Sequence, residues 1–254
     1  MKNIEAKILE FIDDNGLDIF NTSQLSQIES LTDNYINRGL NRLVETGLLR
    51  KIEKGKYCRH NFSDELIIGN FLVKSGGISY WSALNFHGLT EQIPNTIFIQ
   101  TNQWKKNKNI FGVQYKFIQI NNKKLFGYKS EGYGNHTFNI TDIEKTIIDS
   151  FDLPEYSGGY SEIIKAFNNA QINQNKLIKY CEVFDNKSII KRLAYLTELL
   201  NKPKMDKFIQ FALAMRNEKY TPFLRYGGKN EKTLSRWRLI LNIKEQEIIN
   251  LAKS

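Results

Sequence analysis

Asn37, Arg38, Asn41 and Arg42 are spaced so that on a helix they share one face. Their side chains are of the kind that reads DNA. Arginine donates two hydrogen bonds to guanine O6 and N7, and asparagine pairs with N6 and N7 of adenine. A few residues on, Arg50, Lys51, Lys54, Lys56 and Arg59 lie on two short β-patterned runs, where cations would meet phosphates. Over 38–59 seven cations stand against Glu45 and Glu53, although 1–60 as a whole carries nine bases and nine acids, the acids mostly before residue 30. The competing reading is a protein-binding domain with a solvated polar face. Asparagine is frequent throughout the chain, so the arginines carry more of the case for DNA.

Three short helices and a hairpin must position these residues. Ile4, Ile8, Phe11 and Ile12 recur at i, i+4, i+7 and i+8, one face of a first helix that ends at Asn15-Gly16. Asn21 and Thr22 can cap a short second helix with Leu25 and Ile28 on its apolar edge. The spacing predicts a third helix from about Thr32 to Gly47, with Ile36, Leu40, Leu43 and Val44 turned inward. Its other face presents Asn34 with the four residues above. Runs at 48–52 and 56–59 flank a Glu53-Lys54-Gly55 turn. This is the pattern of a winged helix-turn-helix, whose third helix enters the major groove.

The rest of the chain adds charge in patches. The 254 residues carry a formal charge of +9. Residues 92–130 hold seven lysines and no acid, and 201–240 hold ten bases against three acids. Single-sign patches attract polyanions. Lys105, Lys106 and Lys108, with Arg225, Lys229, Lys232, Arg236 and Arg238, therefore form a candidate secondary nucleic-acid patch, the last five interleaved with Tyr220, Phe223, Tyr226 and Trp237. The plain alternative is a solvated loop at 102–109 and, near the C-terminus, buried aromatics with cations on their rim. The composition, 41% hydrophobic and 25% charged, is that of an ordinary globular protein. No apolar run reaches the roughly 18–20 residues of a membrane helix. Cys58 and Cys181, without a signal-peptide pattern, read as free thiols of a cytoplasmic protein.

Beyond residue 60 the pattern predicts a connecting helix over 61–75, a helix from Ser79 to Gly88, and strands near 96–101, 113–120 and 134–140. Helices then follow at about 142–152, 160–169, 174–183, 187–201 and 205–216. Asp142, Glu144, Lys145 and Asp149 could pass for an acid–base cluster, but Thr141-x-x-Glu144 reads as a capping box that starts a helix. His87 reads as a packed or capping side chain. His60 and His136 lack ligand-spaced partners, so no metal site is expected. There is no nucleotide-binding glycine loop or nucleophile motif, and no cofactor is expected.

Several motifs in this stretch resemble the AbiEi family of abortive-infection antitoxins. They are Ser79-Tyr80-Trp81-Ser82-Ala83-Leu84, His87-Gly88-Leu89-Thr90 and Pro94. After them come Thr141-Asp142-Ile143-Glu144-Lys145-Thr146-Ile147-Ile148-Asp149, Leu153-Pro154, Gly158-Gly159 and Lys191-Arg192-Leu193-Ala194-Tyr195-Leu196. Ala194 stands where such sequences often have glycine. With the winged helix in front, this ordered set spans most of 1–200. The resemblance implies a non-enzymatic antitoxin of a type IV toxin–antitoxin system. Such a protein represses its operon at inverted repeats in the promoter. It also opposes an AbiEii-like nucleotidyltransferase toxin without a stable complex, and its C-terminal domain is needed for antitoxicity.

The fold class expected is α+β, an N-terminal winged helix-turn-helix followed by a mostly helical C-terminal domain with a small β-sheet. The divisions are 1–60 for DNA binding, 61–77 as connecting helix, 78–202 as antitoxin domain and 203–254 as a basic helical extension. An inverted repeat needs two copies, supplied by monomers or a weak dimer. The alternatives are a nuclease-like enzyme targeted by a winged helix and a regulator without a toxin partner.

Overall fold

A computed structural model describes residues 3–229 and 232–253. Contacts divide the chain into two units: 1–72 with 131–138, and 73–130 with 139–254.

The first unit opens with helix α1 (Ile4–Asp14), strand β1 (Ile19–Asn21) and the one-turn helix α2 (Thr22–Leu25). Helix α3 (Asp33–Glu45), the hairpin β2 (Leu49–Glu53) and β3 (Lys56–Arg59), and helix α4 (Glu65–Phe71) follow. The strands form a sheet in the order β1-β3-β2. Ile8, Ile12, Phe20, Leu25, Leu40 and Leu49 build its core, the inward face that the 3.6-residue period predicts. Asn21 caps α2 in a reciprocal box with Gln24, each side chain taking the other's backbone N–H. Asp64 caps α4, which is shorter than the connecting helix expected over 61–75. Strand β1 went unforeseen; it pairs Ile19 with Cys58 and closes the winged-helix sheet.

The second unit begins with β4 (Gly77–Ile78), α5 (Tyr80–Phe86), β5 (Thr96–Thr101), β6 (Lys108–Ile110) and β7 (Val113–Gln119). The hairpin β8 (Tyr128–Tyr133) and β9 (His136–Thr141) completes a six-stranded sheet in the order β6-β7-β5-β4-β9-β8. The neighbouring strands β5 and β7 run parallel, with Ile97 opposite Tyr115. Five helices follow: α6 (Ile143–Asp152), α7 (Gly159–Asn169), α8 (Gln174–Phe184), α9 (Lys187–Leu199) and α10 (Asp206–Met215). The chain then forms a small sheet from β10 (Thr221–Pro222), β11 (Lys232–Leu234) and β12 (Leu239–Leu241), and ends in α11 (Glu245–Lys253). Phe151, Phe167, Leu193 and Phe208 share one core with Phe223, Trp237, Leu239 and Ile248. Residues 203–254 are thus not a helical extension but part of that core, and three of their elements are strands.

The architecture is the expected one, a mixed winged-helix region followed by a mostly helical part with small sheets. Both cysteines are free and buried. Burial pushes the Cys58 thiol up to about 11 and Cys181 up to about 12. Among the described residues no helix is long and apolar enough to cross a membrane.

Candidate nucleic-acid interface

Helix α3 is held by its apolar stripe and by one close approach. Ile36, Gly39, Leu40 and Leu43 are buried. A Cβ at Gly39 would fall 2.6 Å from Ile8 Cδ1 and 2.8 Å from Ile4 Cγ2, so the glycine lets α1 and α3 pack closely. The helix stops at Gly47, whose φ of +74° suits glycine. Opposite the stripe, Asn34, Arg38, Asn41 and Glu45 follow one another at i, i+4, i+7 and i+11, all exposed. Asn37 flanks them on one side, lining a cleft of about 260 Å3 with Ser23, Ser26 and Asp33. Arg42 lies on the other flank and reaches Glu5 at 2.9 Å while staying 67% exposed. Glu5 titrates below the usual carboxylate range, first because of a bond to its own backbone N–H and then because of Arg42.

The wing turns at Lys54-Gly55, with Gly55 at φ +75°. Its carbonyl accepts from Thr22 N–H at 2.9 Å, tying the turn to the start of α2. Lys51 and Lys54 are exposed, and the register shifts between Lys51 and Glu53. Arg50 is half-buried beside Cys58, opposite it in the ladder. The other two cations of the hairpin are engaged within the unit. Lys56 Nζ donates to the Phe71 carbonyl at 2.7 Å, pairs with Glu53 at 3.0 Å and sits over the Phe71 ring. Arg59 pairs with Asp13 and, at 3.0 Å, with Asp18. Asp18 also meets His136 Nε2 at 2.7 Å.

The structure thus brings Asn37, Arg38 and Asn41 together on one exposed helix face, with Lys51 and Lys54 on the exposed wing. Among the described residues the side chains of these five make no hydrogen bond or ion pair. Asn34 shares that face at its N-terminal end, the part of a recognition helix that meets base edges. The helical spacing had put Asn34 on this polar face, though not among the base-reading residues.

The secondary patch is dispersed by its own bonds. Lys105 lies over the Phe117 ring at 5.4 Å, Lys108 is half-buried in β6, and Lys106 is exposed. Arg225 donates to the Asp152 carbonyl at 2.7 Å. Arg236 grips Glu198 with Nε and Nη2, at 2.9 and 2.8 Å to one oxygen. Arg238 pairs with Glu218 at 2.7 Å and Tyr220, and Lys232 with Glu245 at 3.1 Å. Lys229 is exposed. Of the interleaved aromatics, Phe223 and Trp237 are buried and Tyr226 is exposed.

The suspected acid–base residues have structural partners. Asp142, not Thr141, caps α6, accepting from Lys145 N–H at 3.0 Å. Thr141 ends β9 and its hydroxyl bonds Thr146 at 2.7 Å instead. Glu144 accepts from Asn173 N–H at 2.8 Å and pairs with Lys176. Lys145 and Asp149 form an ion pair at 0% and 2% exposure. His87 caps α5 and its Nε2 lies 2.7 Å from the Thr141 carbonyl. Among the described residues no group of three or more His, Cys, Asp and Glu is placed to hold a metal ion.

Residues 6–60 match the family described as transcriptional regulator, AbiEi antitoxin. This stretch contains helix α3 and the wing, so the N-terminal domain is of the AbiEi-type winged-helix, DNA-binding kind. The crystal structure of the RV2827C protein from Mycobacterium tuberculosis is 13% identical and aligns over 100% of this chain and 96% of that one, with a TM-score of 0.67. At that identity the likeness is one of fold alone. No curated protein matches the chain by sequence.

Proposed function

We propose, from an N-terminal domain of the AbiEi antitoxin type, that this protein is a cytoplasmic antitoxin that represses its own operon. The observation that carries the reading is the exposed, unpaired row Asn34, Arg38 and Asn41 on α3, flanked by Asn37, with unpaired Lys51 and Lys54 on the wing. Asparagine and arginine on that row suit adenine and guanine edges in the major groove, and the wing lysines suit phosphates. Arg42, Arg50, Lys56 and Arg59 sit at the edge of this surface, and the bonds of Arg42, Lys56 and Arg59 make them supports of the domain first. Two copies on an inverted repeat would set the half-site spacing, with monomers or a weak dimer as the binding species. The toxin opposed is an AbiEii-like nucleotidyltransferase, without a stable complex. The helical second unit would carry that activity.

The test is a titration of the protein against the DNA upstream of its own gene at two salt concentrations. Arg38→Ala should cost about 1–3 kcal/mol and relax preference for that DNA over random sequence. Lys51→Ala with Lys54→Ala should leave the preference intact and lower the salt slope by about 2. Equal affinity of the wild type for its promoter and for random DNA sinks autorepression. Absence of a nucleotidyltransferase gene beside its own, or failure of the chain to restore growth when co-expressed with the product of such a gene, sinks antitoxicity.

A further inference from the structure

A cavity of about 170 Å3 in the second unit is lined by Phe151, Asp152, Asn186, Ser188, Arg192 and Arg225. Its chemistry is cationic. Arg192 is 6% exposed. Its Nε donates to the Phe223 carbonyl at 2.8 Å and its Nη2 to the Pro222 carbonyl at 2.9 Å. These two bonds fix the guanidinium plane and leave Nη1 without a partner among the described residues. Arg225 spends Nη1 on the Asp152 carbonyl at 2.7 Å, which leaves its Nη2 unspent. Two oriented guanidiniums thus line one small space with N–H donors to spare.

The floor of the cavity adds to this. Asn186 caps the thirteen-residue helix α9, accepting from Ser188 and Ile189 N–H. Ser188, at the second position of that helix, keeps its hydroxyl unbonded among the described residues. A helix N-terminus favours negative charge. The one carboxylate present, Asp152, is already answered: one oxygen accepts from Asn186 Nδ2 at 3.3 Å and the other is paired with Lys124. Burial holds the Arg192 guanidinium below its ordinary value, and neighbouring Arg225 adds to that, while Tyr160 and Asp152 oppose it. An anion in the cavity would relieve both effects.

We propose that this cavity binds the terminal phosphate of a phosphate monoester, with Arg192, Arg225 and Ser188 donating to its oxygens. Paired guanidinium N–H groups match the oxygens of a tetrahedral phosphate. Pockets for whole drug-sized ligands run to about 300–1,000 Å3, so this one takes the phosphate and leaves the rest of its carrier outside. Both a free nucleotide and the 5′ end of a nucleic acid present that group. The site is independent of the winged helix and of any reading of its DNA.

Isothermal titration of the full chain tests it, using inorganic phosphate, adenosine 5′-monophosphate, and a short RNA with a 5′-phosphate or a 5′-hydroxyl. Sodium chloride at matched ionic strength is the control. Inorganic phosphate should bind, as should at least one of the two carriers, and the 5′-hydroxyl RNA should bind more weakly than its phosphorylated form. The tighter of the two carriers identifies the source. Arg225→Gln should weaken phosphate about tenfold, the loss of one charge-assisted contact. Ser188→Asp should abolish binding by placing a carboxylate in the cavity. An acid in the first turn of a helix is favoured, so that variant should fold, and circular dichroism checks it. Heats no larger than those of sodium chloride, or unchanged phosphate affinity in both variants, overturn the proposal.

Discussion

Asp149→Asn isolates the cost of the most deeply buried charge pair in the second unit. Lys145 and Asp149 lie four residues apart on α6 and are 0% and 2% exposed. The ammonium sits 5.1 Å from the Phe126 ring centre and 5.5 Å from that of Phe184. Asp149 Oδ2 has no hydrogen-bond partner among the described residues. Burial raises the carboxyl of Asp149 in spite of the lysine beside it. Burial therefore works against the carboxylate, and the lysine beside it, seated over two aromatic rings, is what holds its charge. With asparagine in place the shape is nearly unchanged, so little of the effect comes from packing. The lysine is left with no counter-charge in an apolar setting, a loss of about 3–5 kcal/mol, against about 0–1 kcal/mol for an exposed pair.

Urea denaturation followed by circular dichroism measures the change in the transition of the second unit. Lys145→Met combined with Asp149→Leu should recover most of the loss, because a buried pair exchanged for apolar side chains is often neutral or stabilising. A loss below about 1 kcal/mol in Asp149→Asn, or a double variant no better than the single one, refutes the reasoning. The same variant bears on the nuclease alternative. A catalytic aspartate would leave the fold largely intact and remove metal-dependent cleavage, whereas a structural one removes stability.

Two further outcomes follow from the geometry. Gly39→Ala forces Ile8 Cδ1 and Ile4 Cγ2 away from a new methyl at 2.6 and 2.8 Å. Overpacking of about 1–3 kcal/mol outweighs the roughly 1 kcal/mol of helix propensity gained, so thermal unfolding should come earlier and promoter affinity should fall with it. Lys202 donates to the carbonyls of Asn168 and Ala170, and burial lowers its amine from 10.5 to about 8. Between those values the unfolded chain binds a proton that the folded chain does not. Stability from this group therefore rises with pH across that window and is flat below it. Denaturant midpoints taken across the window should show the rise in the wild type and lose it in Lys202→Met.

The recognition helix and wing were legible because their signals are local. Ile36, Leu40 and Leu43 repeat at the helical period, Gly47 and Gly55 mark the turns, and the exposed face is what remains. The helices from α6 to α10 were legible for the same reason. Strand β1 was not: three residues carry no period, and Ile19–Asn21 becomes a strand only because β3 lies beside it. The C-terminal strands, two or three residues each, are likewise too short to carry a period, and β10 becomes a strand only beside β12, some 18 residues on. The start of α6 shows how a local rule can choose the neighbouring residue. Thr141 and Asp142 can both cap a helix, but Thr141 is committed to β9 and to Thr146, and the Asp142 N–H is taken by the Gly127 carbonyl. The tip of the β8–β9 hairpin belongs to the first unit, where Asn135 donates to the carbonyls of Asn15 and Gly16. Nothing in the sequence around residue 135 announces a partner some 120 positions away.

What composition could not separate is a cation available to a polyanion from one the fold has already used. Lys56 looks like Lys54 in the sequence, yet one is spent on a backbone carbonyl at the end of the next element and the other is exposed. A carbonyl adds no acid to the charge count, so such a partner is invisible to it. Arg59 has two aspartates, but they stand 46 and 41 positions upstream, outside any local window. The same holds in the second unit, where Arg236 and Arg238 answer Glu198 and Glu218. A phosphate approaching any of these must compete with a bond already made. One approaching Arg38, Lys51 or Lys54 displaces only water and counterions, which is the exchange that drives nucleic-acid binding. The proposed interface is therefore narrower than the basic stretch that suggested it, one helix face and one wing tip.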